Sequence, residues 1–150
     1  MADVTEYFRN TFSWTSDSKT SEEYTIIKNN VRFSILSDRL LRVEIDNEGI
    51  FTDEPTQTVI NRNFSRPKIR TVEDGDIVII MTTKTIYRYD TSEKKMLGIS
   101  LKNGKNLTEY TKGNLKGTYR TLDGTNGAVA LGNGIMSTEG VAVIDDTNSL

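Results

Sequence analysis

The run Val31-Arg32-Phe33-Ser34-Ile35 alternates apolar and polar residues, and Leu41, Val43 and Ile45 alternate in the same way with Arg42, Glu44 and Asp46. Side chains on an extended strand point to opposite faces in turn. This period of two therefore sets Val31, Phe33 and Ile35 on one side and their polar neighbours on the other. A helix would need apolar residues three and four apart, and no segment shows that period convincingly. Ser37-Asp38-Arg39 sits between the runs as a turn. The pattern predicts a hairpin with one buried face.

The β reading begins at Tyr24 and continues along the chain. Asp76–Thr82 contains Ile77-Val78-Ile79-Ile80-Met81, apolar on both faces, as expected of a central strand in a sandwich. Glu73-Asp74-Gly75-Asp76 supplies the preceding turn. Thr85-Ile86-Tyr87-Arg88-Tyr89 alternates again. Leu97, Ile99 and Leu101 predict another half-buried strand, closed by the hairpin signal Asn103-Gly104. About seven or eight short strands separated by Gly, Asn and Asp turns predict an all-β protein, an antiparallel β-sandwich. Pro55 and Pro67 bracket a segment that fits an edge or a loop. Beyond Lys112, Gly113, Gly117, Gly124, Gly127, Gly132, Gly134 and Gly140 predict a Gly-rich loop region of tight turns near the C-terminus. Residues 1–23 are polar, with Tyr7, Phe8, Phe12 and Trp14 embedded. They read as an N-terminal arm ahead of a domain spanning 24–150, either laying its rings on the body or forming a loose tail.

Composition narrows the chemistry. The chain has 150 residues, enough for one domain with a real core. Its 19 basic and 21 acidic residues give a net charge of -2, without the basic excess that nucleic acid or an anionic membrane surface requires. The sequence contains neither cysteine nor histidine. Disulfides, thiolate chemistry and Ser-His-Asp or Cys-His sites are thereby excluded, and no metal or cofactor is expected. No apolar run approaches the ~20 residues of a membrane span. Met1-Ala2-Asp3-Val4-Thr5-Glu6 lacks the basic and apolar regions of a secretion signal, so a cytoplasmic location is expected. On that reading the glycosylation patterns Asn63-Phe64-Ser65 and Asn106-Leu107-Thr108 are chance matches.

The glycines fit neither a Walker A loop nor a dinucleotide fingerprint. Carboxylates are the main acid–base groups available. Glycoside hydrolysis needs two of them, roughly 5–10 Å apart. Asp123, Asp145 and Asp146 qualify by residue type, but adjacent Asp145 and Asp146 would point to opposite faces of a strand. Asp123-Gly124 reads first as a turn whose carboxylate bonds nearby backbone. Asp46, Asp53 and Glu54 do not have calcium-loop spacing and read as a solvated face. Arg42 and Glu44 read as an ion pair on a sheet surface.

A wider pattern joins these residues. Asn114-Leu115-Lys116-Gly117-Thr118-Tyr119-Arg120-Thr121-Leu122-Asp123-Gly124 is followed by Gly134-Ile135-Met136-Ser137 and by Gly140-Val141-Ala142-Val143-Ile144-Asp145-Asp146. Upstream lie Arg42-Val43-Glu44, Phe51–Val59, Asn61-Arg62-Asn63-Phe64 and Thr82–Tyr89. Together they resemble the N-terminal β-domain of glycoside hydrolase family 31, the α-glucosidase and α-xylosidase family, over roughly residues 30 to 150. The resemblance implies a galactose-mutarotase-like β-sandwich leading into a catalytic (β/α)8 barrel, the domain's own partner. It further implies a parent enzyme that hydrolyses an α-linked oligosaccharide or α-glucoside with retention. The family's nucleophile lies in a Trp-x-Asp-Met-x-Glu pattern on the barrel. Here the only tryptophan, Trp14, is followed by Thr15-Ser16-Asp17, so no catalytic residue carries over. The isolated chain is expected to be inactive, and either to self-associate through the face that would meet the barrel or to carry a disordered stretch within 113–140. Arg120, Asp123 and Gly124 are the implied pocket-border positions. The other readings are a stand-alone carbohydrate-binding sandwich with an aromatic platform at Trp14, Tyr87, Tyr89 or Tyr119, and a protein-binding adaptor.

Overall fold

The computed structural model describes residues 16–56, 58–107, 112–117 and 124–147. Among them, seven strands form two antiparallel sheets. The first sheet holds β1 (Thr25–Lys28), β2 (Val31–Ser37) and β3 (Leu40–Ile45). The second holds β4 (Arg70–Asp74), β5 (Ile77–Met81), β6 (Thr85–Asp90) and β7 (Lys95–Leu101). Within each sheet, every strand pairs with its neighbour in sequence. The only helical element among the described residues is a 3-10 turn, Glu22–Tyr24, ahead of β1.

The fold is an all-β sandwich, and the alternation that predicted it also builds its core. Val31, Phe33 and Ile35 of β2 meet Val78 and Ile80 of β5 and Tyr87 and Tyr89 of β6. Register fixes the neighbours: Phe33 lies opposite Ile26 and Val43, Val78 opposite Tyr89, and Ile80 opposite Tyr87. Phe33 meets Tyr89 edge-on, with ring centroids 5.1 Å apart and an interplanar angle of 78°. That arrangement sets the positive edge of one ring against the negative face of the other.

Three features depart from the sequence reading. Glu73 and Asp74, expected in a turn, end β4, and Gly75 with Asp76 makes the turn. All five residues of β4 are exposed, so β4 exists through its ladder to β5 and not through burial. Its charges also discourage another strand from pairing with this outer edge. In β7, Leu97 is the extra residue of a bulge: Gly98 pairs with Arg88 and Met96 with Tyr89. Met96 and Ile99 therefore pack against the core while Leu97 is exposed. Finally, the strand covered on both faces is β2, the alternating one. Ile77, Ile79 and Met81 of the uniformly apolar β5 are only half-buried.

Beyond β3, Asp46 Oδ1 accepts hydrogen bonds from the backbone N–H groups of Glu48 and Ile50, at 2.8 and 3.0 Å. These bonds, that from Ile50 foremost, hold the Asp46 carboxyl below its ordinary value. A depressed pKa adds stability that is complete above the unfolded value of about 4 and is lost as pH falls through the folded one. An NMR titration should find the Asp46 carboxyl protonating below that of an unstructured aspartate. Asp46→Asn should remove its share of the acid-side loss of stability. An ordinary Asp46 titration would show that the turn does not hold the carboxylate.

The Gly-rich region forms no long strands among the described residues. Its segments 113–117, 132–138 and 141–143 run side by side through single bridges. Leu115 N–H donates to Met136 O at 2.8 Å, and Val143 N–H donates to Ile135 O at 2.9 Å. Asn114 Nδ2 donates to Gly134 O at 2.9 Å, and its Oδ1 accepts from Gly134 N–H at 2.7 Å. Gly134 is required here: a Cβ would stand 2.2 Å from Leu115 O, inside any real contact distance. Gly134→Ala should push these segments apart. Amide exchange should then lose protection at Leu115, Gly134 and Val143 while β5 and β6 keep theirs. Unchanged exchange at all three positions would show that the close approach is not maintained.

Candidate functional site: an arginine–carboxylate layer

The outer face of the three-stranded sheet carries Arg32 opposite Glu44 and Ser34 opposite Arg42. Arg32 Nε and Nη2 donate to the two Glu44 carboxylate oxygens at 2.7 and 2.8 Å, a bidentate fork. Arg32 Nη1 donates to Asp53 Oδ1, and Nη2 also reaches Thr52 O, both at 2.8 Å. The Phe51 ring lies beneath the guanidinium, with 5.0 Å from Cζ to its centroid. The hydrogen bond to Glu44 raises the Arg32 pKa further, against the opposing effect of burial. Arg42 pairs with Glu44 along the same strand, so one carboxylate serves two guanidinium groups.

The loop after β3 adds a third cation. Arg62 is only 2% exposed. Its Nη1 and Nη2 donate to the carbonyls of Ser18 and Glu54 at 3.1 and 2.8 Å, and its backbone N–H donates to Asp17 O at 2.7 Å. Burial, and next the like charge of Arg42, push the Arg62 guanidinium below its ordinary value. Asp146 attracts it, but its Oδ2 accepts from Thr56 Oγ1 at 3.1 Å. Among the described residues, no carboxylate forms an ion pair with Arg62. Among the described residues, the Nε atoms of Arg42 and Arg62 are buried without a hydrogen-bond partner.

This layer differs from the surface expected of Arg42 and Glu44. The ion pair forms, but Arg32 joins it, and Phe51, Thr52 and Asp53 lie against Arg32. Asp53 is one of its anions, not part of a freely solvated face. Residues far apart in the sequence meet here: Arg32, Arg42 and Glu44 of the sheet, Phe51, Thr52 and Asp53 after β3, and Arg62, which bonds Glu54 O. Arg32 was missed because an arginine at the polar position of an alternating strand usually faces water. The nearby Phe51 and Asp53 were the available clue, but sequence spacing does not show that their loop folds back.

The implied pocket-border positions Arg120 and Asp123 lie outside the described residues. Gly124 is exposed in a turn at φ +74°, with open space where a Cβ would stand. Asp145 is occupied locally: its Oδ1 accepts from Thr147 N–H at 3.0 Å and Thr147 Oγ1 at 2.6 Å, which lowers its pKa. Asp145 and Asp146 take separate partners, Thr147 and Thr56, and neither lies in a strand. Tyr87 and Tyr89, considered for a sugar-stacking platform, are buried core residues, and burial raises both hydroxyl pKa values. Trp14 and Tyr119 lie outside the described residues. Leu115, Gly117, Gly134, Ile135, Met136 and Val143 help line an open groove of about 600 Å³.

The layer can hold carboxylates and backbone carbonyls rigidly, and its donors suit oxyanions. No group of three or more acidic side chains that could hold a metal occurs among the described residues. No helix among them is long and apolar enough to cross a membrane. No family model matches the chain, and no curated protein matches it.

Proposed function

We propose that this chain is the non-catalytic, galactose-mutarotase-like N-terminal domain of a glycoside hydrolase family 31 α-glycosidase. It scaffolds a (β/α)8 catalytic domain and borders the pocket in which that domain cleaves an α-linked oligosaccharide or α-glucoside. The observation that carries this reading is the apolar surface of the Gly-rich region. Leu115, Leu131, Ile135, Met136, Val143 and Ile144 are exposed within the stretch whose motifs most resemble the family. A concentration of exposed apolar side chains marks a face suited to another domain. The β-sandwich adds support.

The first test is the transcript beyond the Leu150 codon. An open frame leading into Trp-x-Asp-Met-x-Glu supports the proposal, and an immediate stop in the natural transcript overturns it. In the resulting full-length enzyme, Asp123→Ala is expected to lower kcat/KM for α-glucosides roughly tenfold through loss of a sugar hydrogen bond. Unchanged kcat/KM for every α-glycoside tried would remove Asp123 from the pocket border. The isolated chain should hydrolyse no nitrophenyl α-glucoside. Saturable maltose binding by that chain would instead favour the carbohydrate-binding module.

A further inference from the structure

We propose that Asn126 is a site of spontaneous deamidation, selected by the fold from three Asn-Gly pairs. The pairs are Asn103-Gly104, Asn126-Gly127 and Asn133-Gly134. Glycine favours the reaction in each, because no Cβ shields the attacking backbone nitrogen or restricts its approach. That nitrogen loses its proton and bonds to the asparagine Cγ. The Cγ–Nδ2 bond breaks and ammonia leaves, which closes a succinimide ring. Water then opens the ring at either carbonyl and leaves aspartate or isoaspartate. Water is the only reactant consumed, and each event adds one negative charge.

Exposure does not separate the pairs, since all three asparagines are exposed, but hydrogen bonding does. Gly104 N–H donates to Leu101 O at 2.9 Å, and Asn103 Oδ1 accepts from Lys105 N–H at 3.1 Å. One tight turn therefore holds both reacting groups. Gly134 is half-buried, and its N–H donates to Asn114 Oδ1 at 2.7 Å. Asn133 Oδ1 accepts from Lys116 Nζ at 2.8 Å. That ammonium would stabilise the negative charge that develops on the oxygen as the nitrogen adds. Asn133 is thus polarised for attack while Asn114 withholds its nucleophile. Among the described residues, no hydrogen bond ties Asn126 or Gly127. Gly127 is exposed at φ +96°, with open space where a Cβ would stand. Its nitrogen and the Asn126 side chain are free to meet.

The test incubates the full chain in mildly alkaline buffer and follows the three pairs by peptide mass spectrometry. Asn126 should convert roughly tenfold faster than Asn103 or Asn133, because each of those pairs must give up a hydrogen bond before its nitrogen can attack. In guanidinium chloride the three rates should converge, since the same residue follows each asparagine. Asn114→Ala should raise the rate at Asn133 and leave that at Asn126 unchanged. The comparison of folded with unfolded wild-type chain stands even where that variant does not fold. Methyl transfer from labelled S-adenosylmethionine by an isoaspartyl carboxyl methyltransferase should mark the Asn126 peptide. Equal rates at the three pairs in the folded chain overturn the proposal, as does conversion of Asn103 or Asn133 ahead of Asn126. An unchanged Asn133 rate in folded Asn114→Ala overturns the protective role of Asn114.

Discussion

Glu44→Gln is expected to destabilise the protein by about 3–5 kcal/mol in urea unfolding at neutral pH. Glu44 is the shared anion of Arg32 and Arg42, and its side chain is 14% exposed. Glutamine keeps the shape but leaves two guanidinium groups against a neutral amide in a mostly buried layer. The penalty is chiefly that of the uncompensated cations, which exceeds the net worth of the original pair. Glu73→Gln provides the contrast. Glu73 pairs with Lys28 at 2.7 Å, but its side chain is 54% exposed. Water and mobility reduce such a pair to about 1 kcal/mol or less. Equal losses in the two variants would show that solvent reaches the Glu44 layer as freely as the surface.

Phe33→Ala is expected to cost about 3–5 kcal/mol, which for a domain of this size lowers the thermal midpoint by roughly 10–15 °C. Phe33 is fully buried at the centre of β2, between Ile26 and Val43 and against Tyr89. Truncation removes the ring's transfer energy and the edge-to-face contact, and leaves a cavity that two paired sheets cannot readily close. Leu97→Ala, in the same fold but at the exposed bulge, should cost well under about 1 kcal/mol. A loss at Leu97 matching that at Phe33 would contradict the register assigned to β7.

These contrasts also show which parts of the structure were legible in the sequence. Phe33 could be read because burial and period two agree at its position. β4 could not, because Arg70-Thr71-Val72-Glu73-Asp74 has no consistent apolar face and depends on a partner strand for its shape. Leu97 misled because an inserted residue reverses facing without altering composition. Arg32 marks the deeper boundary. Its place on the polar face of β2 was legible, but its cover comes from a loop beginning about twenty residues later. Alternation states which side a residue occupies, and it says nothing about what closes over that side. Arg42, Phe51 and Asp53 could likewise be read singly, whereas their meeting around Arg32 and Glu44 is a property of the folded chain.

The order of the strands has a kinetic consequence. Each ladder, from β1 with β2 through β6 with β7, joins segments adjacent along the chain. Hairpins of this kind close short loops and lose little chain entropy before their first contacts form. The distant encounters are the meeting of the two sheets and the return of the Asp146 segment to Thr56, 90 residues away. Two locally assembled meanders can therefore precede the sandwich, leaving their mutual docking and the closing of the C-terminal strap as the late events of folding.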